Sequence, residues 1–227
     1  MTSRRWPRAV VFDLDGTLVD SAPDIAEALN DARGTIGGKP FPVEKVHEFI
    51  GGGSALTIRR ALVEDGLSLA PAEEKAVLDH FMVVYSRISA EGRGLYDGAL
   101  NLLGGLKADG AVLGLCTNKP EPVTRIAVDA LRITAYFGSI IGARDNVPKK
   151  PDPAMLKQVL DELDVSPRDA VMIGDRATDV GDARSLGVQV LLSPNVYTQT
   201  PPHQLGADAV YDRLADIPML IGRLTQP

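Results

Sequence analysis

Asp13 and Asp15 stand one residue apart at the end of the apolar run 10–12, in the segment VVFDLDGTLVDS of residues 10–21. Side chains of an extended chain alternate faces with a period of two. A strand running into this pair therefore delivers both carboxylates to one side, and Gly16 lets the chain turn away just beyond. Two acids held that close repel each other, and a bound divalent cation is the usual reason to keep them together. The plain alternative is an edge strand ending in an acidic surface turn; the unbroken apolar lead-in argues against it.

The elements that must position these acids follow from the pattern of the rest of the chain. After Asp20 the period becomes helical. Ser21 reads as a helix cap with Asp24 three residues on and Pro23 in the first turn, and Ile25, Ala28, Leu29, Ala32 and Ile36 recur at helical spacing. Glycines and prolines break the chain at 37–42, a short helix follows over 43–50, and Gly51-Gly52-Gly53-Ser54 opens another that runs to about Asp65. A long helix over 71–88 places Val77, Leu78, Phe81, Val84, Tyr85 and Ile88 on one face. Residues 20–94 contain no strand pattern and read as an all-helical cap, connected through 17–20 and 91–96, with Gly92 and Gly94 as hinges.

Beyond residue 98 helical and apolar strand patterns alternate: a helix at 99–107, a strand at 111–116, a helix at 122–131, an apolar run at 136–141, and strands at 170–173, 188–192 and 207–211. Residues 195–202 read as a proline-rich loop, and 214–224 as a closing helix. The alternation predicts a doubly wound, Rossmann-like α/β core of residues 1–19 and 95–227 around a parallel sheet, with the cap of residues 20–94 inserted into it. Ligands of such sheets bind at the carboxyl ends of the strands, where Thr117 and Asp175 both fall.

DLDGTLVDS resembles the first motif of the haloacid dehalogenase superfamily, most of whose members are Mg²⁺-dependent phosphatases. The resemblance implies that Asp13 is a nucleophile forming an aspartyl-phosphate and that Asp15 is the general acid and base. The chemistry suits both. An Asp needs no deprotonation to attack at neutral pH, whereas Asp15 must carry a proton to a leaving alkoxide. Three further segments resemble the remaining motifs in the required order. Thr117, with the Asn118 amide, corresponds to the second and binds the phosphoryl group. Lys150, chosen over Lys149 because it directly precedes Pro151, corresponds to the third and neutralises charge shared by Asp13 and the phosphoryl oxygens. Gly174-Asp175 with Asp179 four residues on corresponds to the fourth. There Asp175 completes a Mg²⁺ site with Asp13 and the main-chain carbonyl of Asp15, and Asp179 binds the metal through water or orients Lys150. Arg176 departs from the small residue common after Gly-Asp in relatives; its guanidinium is placed either to contact phosphate or to pair with Asp179.

Within the cap, IGGGSALTIRRAL at 50–62 resembles the corresponding segment of phosphoglycolate phosphatases. Backbone amides of Gly53 and Ser54 at a helix start are placed to meet a substrate carboxylate, or Ser54 simply caps its helix. Arg59 and Arg60 are adjacent on a helix and cannot face the same way; Arg60 is the candidate for the substrate side. These resemblances imply a Mg²⁺-dependent phosphomonoester hydrolase acting on a small phosphorylated metabolite, with 2-phosphoglycolate first. A pyrophosphatase or nucleotidase on the same core is the alternative. A dehalogenase is disfavoured by Asp15, a mutase by the absence of identifiable groups to relay a second phosphate, and a non-catalytic sensor by the presence of both Asp13 and Lys150.

Composition sets the remaining bounds. The 227 residues, 44% hydrophobic, are enough for one core plus an insertion. A net charge of −6, from 24 basic and 30 acidic side chains, argues against nucleic-acid and anionic-membrane partners, which need clustered cations. Cys116 is the sole cysteine, so no intrachain disulfide or thiolate cage forms. No apolar run is long enough to span a bilayer, and Arg4, Arg5 and Arg8 precede too few apolar residues for a signal peptide. A cytoplasmic monomer or homodimer is expected. His47, His80 and His203 lack metal-ligand spacing and read as surface or packing residues.

Overall fold

The computed structural model describes residues 7–194 and 200–224. Strand β1 (Ala9–Phe12) is followed by four helices, α1 (Ala22–Gly34), α2 (Val43–His47), α3 (Ser54–Glu64) and α4 (Pro71–Ser89). The chain then alternates through α5 (Ala99–Ala108), β2 (Val112–Pro120), α6 (Glu121–Ala130), β3 (Ser139–Ala143) and α7 (Ala154–Glu162). It finishes with β4 (Ala170–Gly174), α8 (Ala177–Leu186), β5 (Gln189–Leu192), β6 (Ala209–Val210) and α9 (Ile217–Leu224). The six strands form one sheet in the order β3-β2-β1-β4-β5-β6, with every pairing parallel, as the alternating pattern predicts.

All four residues of β1 are buried, because both faces of a parallel sheet are covered by crossover helices. Val10 and Phe12 pack with Leu103 and Leu106 of α5, Val128 of α6 and Ile217 and Ile221 of α9. Ala9 and Val11 point the other way, against Met155, Leu156 and Val159 of α7 and Val180 and Ala183 of α8. Each fully buried side chain of this size contributes roughly 1.5–3 kcal/mol. Register is what matters for function. Phe12 is level with Leu115 of β2 and Ile173 of β4. The residues that follow, Asp13, Cys116-Thr117 and Gly174-Asp175, therefore emerge together at the carboxyl edge.

Helices α1 to α4 have an apolar core of their own, built from Ile25, Leu29, Ile58, Leu62, Phe81, Tyr85 and Ile88 among others. Arg33 is wholly buried in it: its guanidinium lies 3.6 Å from the centre of the Phe41 ring and donates to both carboxylate oxygens of Asp65, at 2.9 and 2.7 Å. The two connections to the sheet are clasped together, with the amide of Asp20 donating to the Gly94 carbonyl at 2.7 Å and that of Tyr96 to Leu18 at 2.9 Å. Gly94 has φ of +81°, and a Cβ there would sit 2.4 Å from the Asp20 carbonyl oxygen. Close approach of the two connections thus requires glycine at this position.

Several local expectations are corrected. Ser21 precedes α1 without a side-chain capping bond; the Asp20 carboxylate instead accepts from the Ala22 amide at 3.4 Å. β2 does not stop at Cys116 but runs on to Pro120 through an irregularity in its pairing with β3, because Pro120 still pairs with Ala143. The apolar run at 136–141 divides into a 3₁₀ turn at Thr134–Tyr136 and the strand proper from Ser139, and the closing helix is preceded by a 3₁₀ turn at Leu214–Asp216. Of the loop expected at 195–202, residues 195–199 lie outside the described residues. Among the described residues, no helix is long and apolar enough to cross a membrane.

Candidate active site

A cavity of about 60 Å³ lies between the carboxyl edge of the sheet and helices α1, α3 and α4. Asp13, Asp15, Thr117, Asn118, Lys119, Lys150 and Arg176 line it from the sheet side; Ile25, Gly51, Gly52, Gly53, Ser54, Thr57, Phe81 and Tyr85 line it from the helical side.

Asp13 directly follows β1 and continues its ladder, its amide donating to the Ile173 carbonyl at 2.9 Å. Its carboxylate accepts from Lys150 Nζ at 2.9 Å, and the same ammonium donates to Asp179 Oδ1 at 2.5 Å and to the Cys116 carbonyl at 2.8 Å. All three of the lysine's donors are thereby used. Burial alone would favour the neutral amine, but the carboxylates of Asp13 and Asp179 more than reverse this and push the Lys150 pKa well above its ordinary value. The side chain of Asn118 grips the backbone of Lys150 from both sides, donating to its carbonyl and accepting from its amide, each at 3.0 Å. Asn118 thus fixes where the lysine begins. Lys149, by contrast, reaches toward Gly53, as a Cβ on that glycine would lie 3.2 Å from its Nζ.

Asp175 emerges from β4 beside Asp13, fully buried. Asp179, one turn into α8, folds back: its second carboxylate oxygen accepts from the amides of Asp175 and Arg176 at 3.1 and 3.0 Å, capping the helix. That return requires Gly174, where a Cβ would stand 2.4 Å from the Asp179 carboxylate. Asp13, Asp175 and Asp179 each present a carboxylate oxygen, and these lie within 4.8 Å of one another. Burial raises the pKa of both Asp175 and Asp179; Arg176 opposes this at Asp175, and Lys150 opposes it at Asp179. Three buried carboxylates against two cations leave a site short of positive charge, and its all-oxygen donors suit a hard divalent cation such as Mg²⁺. Both oxygens of Asp179 are already engaged, which fits it for holding Lys150 rather than for direct ligation.

One further turn along α8, Asp182 is completely buried, and neither of its carboxylate oxygens has a hydrogen-bond partner among the described residues. Burial pushes its pKa up to about 8. Burial likewise holds the Cys116 thiol well above its usual range, as expected of an inert packing residue.

Of the helical residues anticipated from the sequence, Gly53 and Ser54 face the cavity, but it is Gly53, at φ +94°, that precedes the first turn of α3, with Ser54 as its first residue. Arg60 stands outside. Its guanidinium donates to the carbonyls of Phe49 and Gly51 at 3.0 and 3.1 Å, bracing the glycine loop from its outer side, while Arg59 pairs with Glu74. The arginine that reaches this loop from within is Arg176, whose Nη1 donates to the Ile50 carbonyl at 2.9 Å and whose Nε lies 3.4 Å from Asp175 Oδ2.

Lys119 and Tyr85, polar lining residues that the sequence does not single out for the site, meet each other in the cavity. Lys119 Nζ lies 3.2 Å from Asp15 Oδ1, bonds the Tyr85 hydroxyl and stands 4.0 Å from the centre of the Tyr85 ring. The signal for Lys119 was its place two residues after Thr117 on an extended chain, which puts both on one face. Tyr85 was legible only as an apolar helix position.

A buried carboxylate paired with a buried lysine, at the carboxyl edge of a parallel sheet and beneath a helical insertion, is an arrangement that α/β hydrolases use. Residues 7–187 match the haloacid dehalogenase-like hydrolase family, and the chain belongs to it. It is 38% identical over 215 residues to a phosphoglycolate phosphatase of Rhodospirillum rubrum, covering 93% of this chain and 89% of that one. The crystal structure of a predicted phosphoglycolate phosphatase from Haemophilus somnus superposes with a TM-score of 0.88 at 27% identity, over 97% of this chain and 99% of that one. CbbY from Rhodobacter sphaeroides, solved in complex with phosphate, superposes with a TM-score of 0.81 at 26% identity, over 93% and 96% of the two chains.

Proposed function

We propose that this chain is a Mg²⁺-dependent phosphomonoester hydrolase that works through a phosphoryl group carried on Asp13, with 2-phosphoglycolate as its substrate. The observation that carries this reading is the division of the two acids between different partners. Asp13 is bound to the buried Lys150, whereas Asp15 sits on the same cavity beside Lys119.

Asp13 attacks phosphorus as the ester oxygen leaves, and Asp15 gives that oxygen its proton. Asp15, then a carboxylate, takes a proton from the water that attacks the Asp13 acyl-phosphate and releases inorganic phosphate. Lys150, the Thr117 hydroxyl and nearby backbone amides offset the charge on the phosphoryl oxygens. Asp13, Asp175 and the Asp15 carbonyl are the residues that would hold Mg²⁺, which supplies charge neutralisation between the carboxylate and the phosphate. Asp179 keeps Lys150 in place.

Residues 20–94 act as the cap, and the glycine loop at 51–53 presents α3 amides to the substrate while helices α1 and α4 exclude water. The small cavity supports a small substrate, since its volume suits a few waters rather than a nucleoside. The relatedness to phosphoglycolate phosphatases supports the choice among small phosphomonoesters.

The test is kinetic. Purified protein with Mg²⁺ is assayed against 2-phosphoglycolate, other small phosphomonoesters, pyrophosphate and nucleoside monophosphates, with and without excess chelator. Highest kcat/KM on 2-phosphoglycolate, abolished by chelator, is expected; a preference for pyrophosphate or nucleotides would replace this reading with the alternative.

A further inference from the structure

We propose that Lys119 is the specificity-determining cation of the site: it binds the substrate's second anionic group, a carboxylate one carbon beyond the ester oxygen. The inference rests on the phosphomonoesterase reading above and deepens it.

Lys119 is 6% exposed, and its ammonium ends in the same cavity as Asp13 and Asp15. An ammonium has three donors and is costly to bury without acceptors. Among the described residues, its hydrogen-bond acceptors are the Asp15 carboxylate and the Tyr85 hydroxyl, which leaves one donor for a ligand. The position along the reaction axis fits. With Asp15 protonating the ester oxygen, a carboxylate attached through one CH₂ has its oxygens roughly 3 Å from that oxygen, by ordinary bond lengths. Lys119 Nζ, 3.2 Å from the Asp15 carboxylate, stands at that reach.

The other cations that line the cavity are directed elsewhere, and Lys149, beside it, reaches toward Gly53 of the glycine loop. Lys150 is held by Asp13, Asp179 and the Cys116 carbonyl; Arg176 is directed to Asp175 and the Ile50 carbonyl; Arg60 braces the glycine loop from outside. The surroundings also strengthen a charge pair. Ile25 and Phe81 line the helical side of the cavity, and a low local dielectric raises the attraction between an ammonium and a carboxylate. Tyr85 belongs to α4, so the lysine that meets the substrate also joins the sheet to the helical insertion. A neutral ester gains nothing from this cation; a carboxylate on a longer chain overshoots it.

The test compares 2-phosphoglycolate with ethyl phosphate, which has the same chain length without the carboxylate, in the wild type and in Lys119→Met, Lys119→Gln and Lys119→Arg. The wild type should favour phosphoglycolate by about 100-fold or more in kcat/KM. Lys119→Met should lose most of that preference, chiefly through a raised KM for phosphoglycolate, with ethyl phosphate falling by no more than about tenfold. Lys119→Arg should recover part of it. Lys119→Gln, which keeps a polar end of similar length, gives the same reading if the Met variant does not fold. If the wild type shows the preference and the variants keep it, or lose both substrates equally, Lys119 is not the carboxylate partner and the proposed function stands without it. If the wild type shows no preference, the phosphoglycolate reading itself fails, and the role of Lys119 falls with it.

Discussion

The ammonium of Lys150 lies 2.9 Å from the carboxylate of Asp13 with both side chains buried, although 137 positions separate them in the chain. Neither residue could be kept there alone. A buried lysine without acids would lose its proton, and three carboxylates gathered there without the lysine would repel one another. The pair is made by the level register of β1 with β2 and by Asn118, which fixes the backbone of Lys150.

Replacing Lys150 with Met should therefore lower kcat by about 100-fold or more on every phosphomonoester, with phosphoglycolate and ethyl phosphate affected alike. Lys150 serves the phosphoryl group common to both. Steady-state kinetics on the two substrates checks this. A loss confined to phosphoglycolate would assign Lys150 to the carboxylate instead.

Asp15→Asn should slow alkyl phosphates much more than nitrophenyl phosphate. Nitrophenolate departs with little protonation, whereas an alkoxide needs the acid, and general acid catalysis is typically worth about 10²–10⁴-fold. Equal losses on both substrates would mean that Asp15 acts through structure or metal geometry.

Asp182 predicts a pH dependence of stability with a definite sign. Its folded pKa is raised to about 8 by burial, so the folded state holds a proton that the unfolded state releases above its ordinary value of 3.8. The stability associated with that proton is full below about pH 4 and is lost as pH rises toward 8, at up to about 1.4 kcal/mol per pH unit. Asp182→Asn should flatten this fall, so that urea midpoints of variant and wild type diverge from pH 5 to pH 8 in favour of the variant. Parallel curves would show that Asp182 is ionised in the fold.

Much of the site was legible because it is built from short chain segments at strand ends. Apolar runs marked β1, β2 and β4, and the paired acids Asp13 and Asp15 follow from where the first run stops. Thr117, Lys150 and Asp175 were singled out by the resemblance of their segments to family motifs in the required order; alone, a hydroxyl after a strand or a lysine before a proline carries little. What the sequence did not carry was side-chain direction on the helical insertion. Arg60 has the charge expected of a substrate partner, yet the turn of α3 points it at the carbonyls of Phe49 and Gly51. Arg176, expected to contact phosphate or pair with Asp179, directs its guanidinium instead to Asp175 and to the Ile50 carbonyl, linking the loop after β4 to the glycine loop. Tyr85 shows why such contacts are hidden: its ring packs 5.2 Å from that of Phe81 like any apolar helix residue, and only its hydroxyl meets Lys119. A hydrophobic period registers the ring and is blind to the hydroxyl.

The proposed reaction requires Asp13 to carry the phosphoryl group, and the most direct measurement is to trap that group. Enzyme turning over 2-phosphoglycolate with Mg²⁺ is quenched and treated with borohydride, which reduces an aspartyl-phosphate to homoserine, and the peptides are mapped by mass spectrometry. Homoserine at position 13, absent without substrate and absent in Asp13→Asn, is the predicted result. Rapid turnover with residue 13 unmodified under all quench times, or undiminished turnover in Asp13→Asn after deamidation is ruled out, would contradict it.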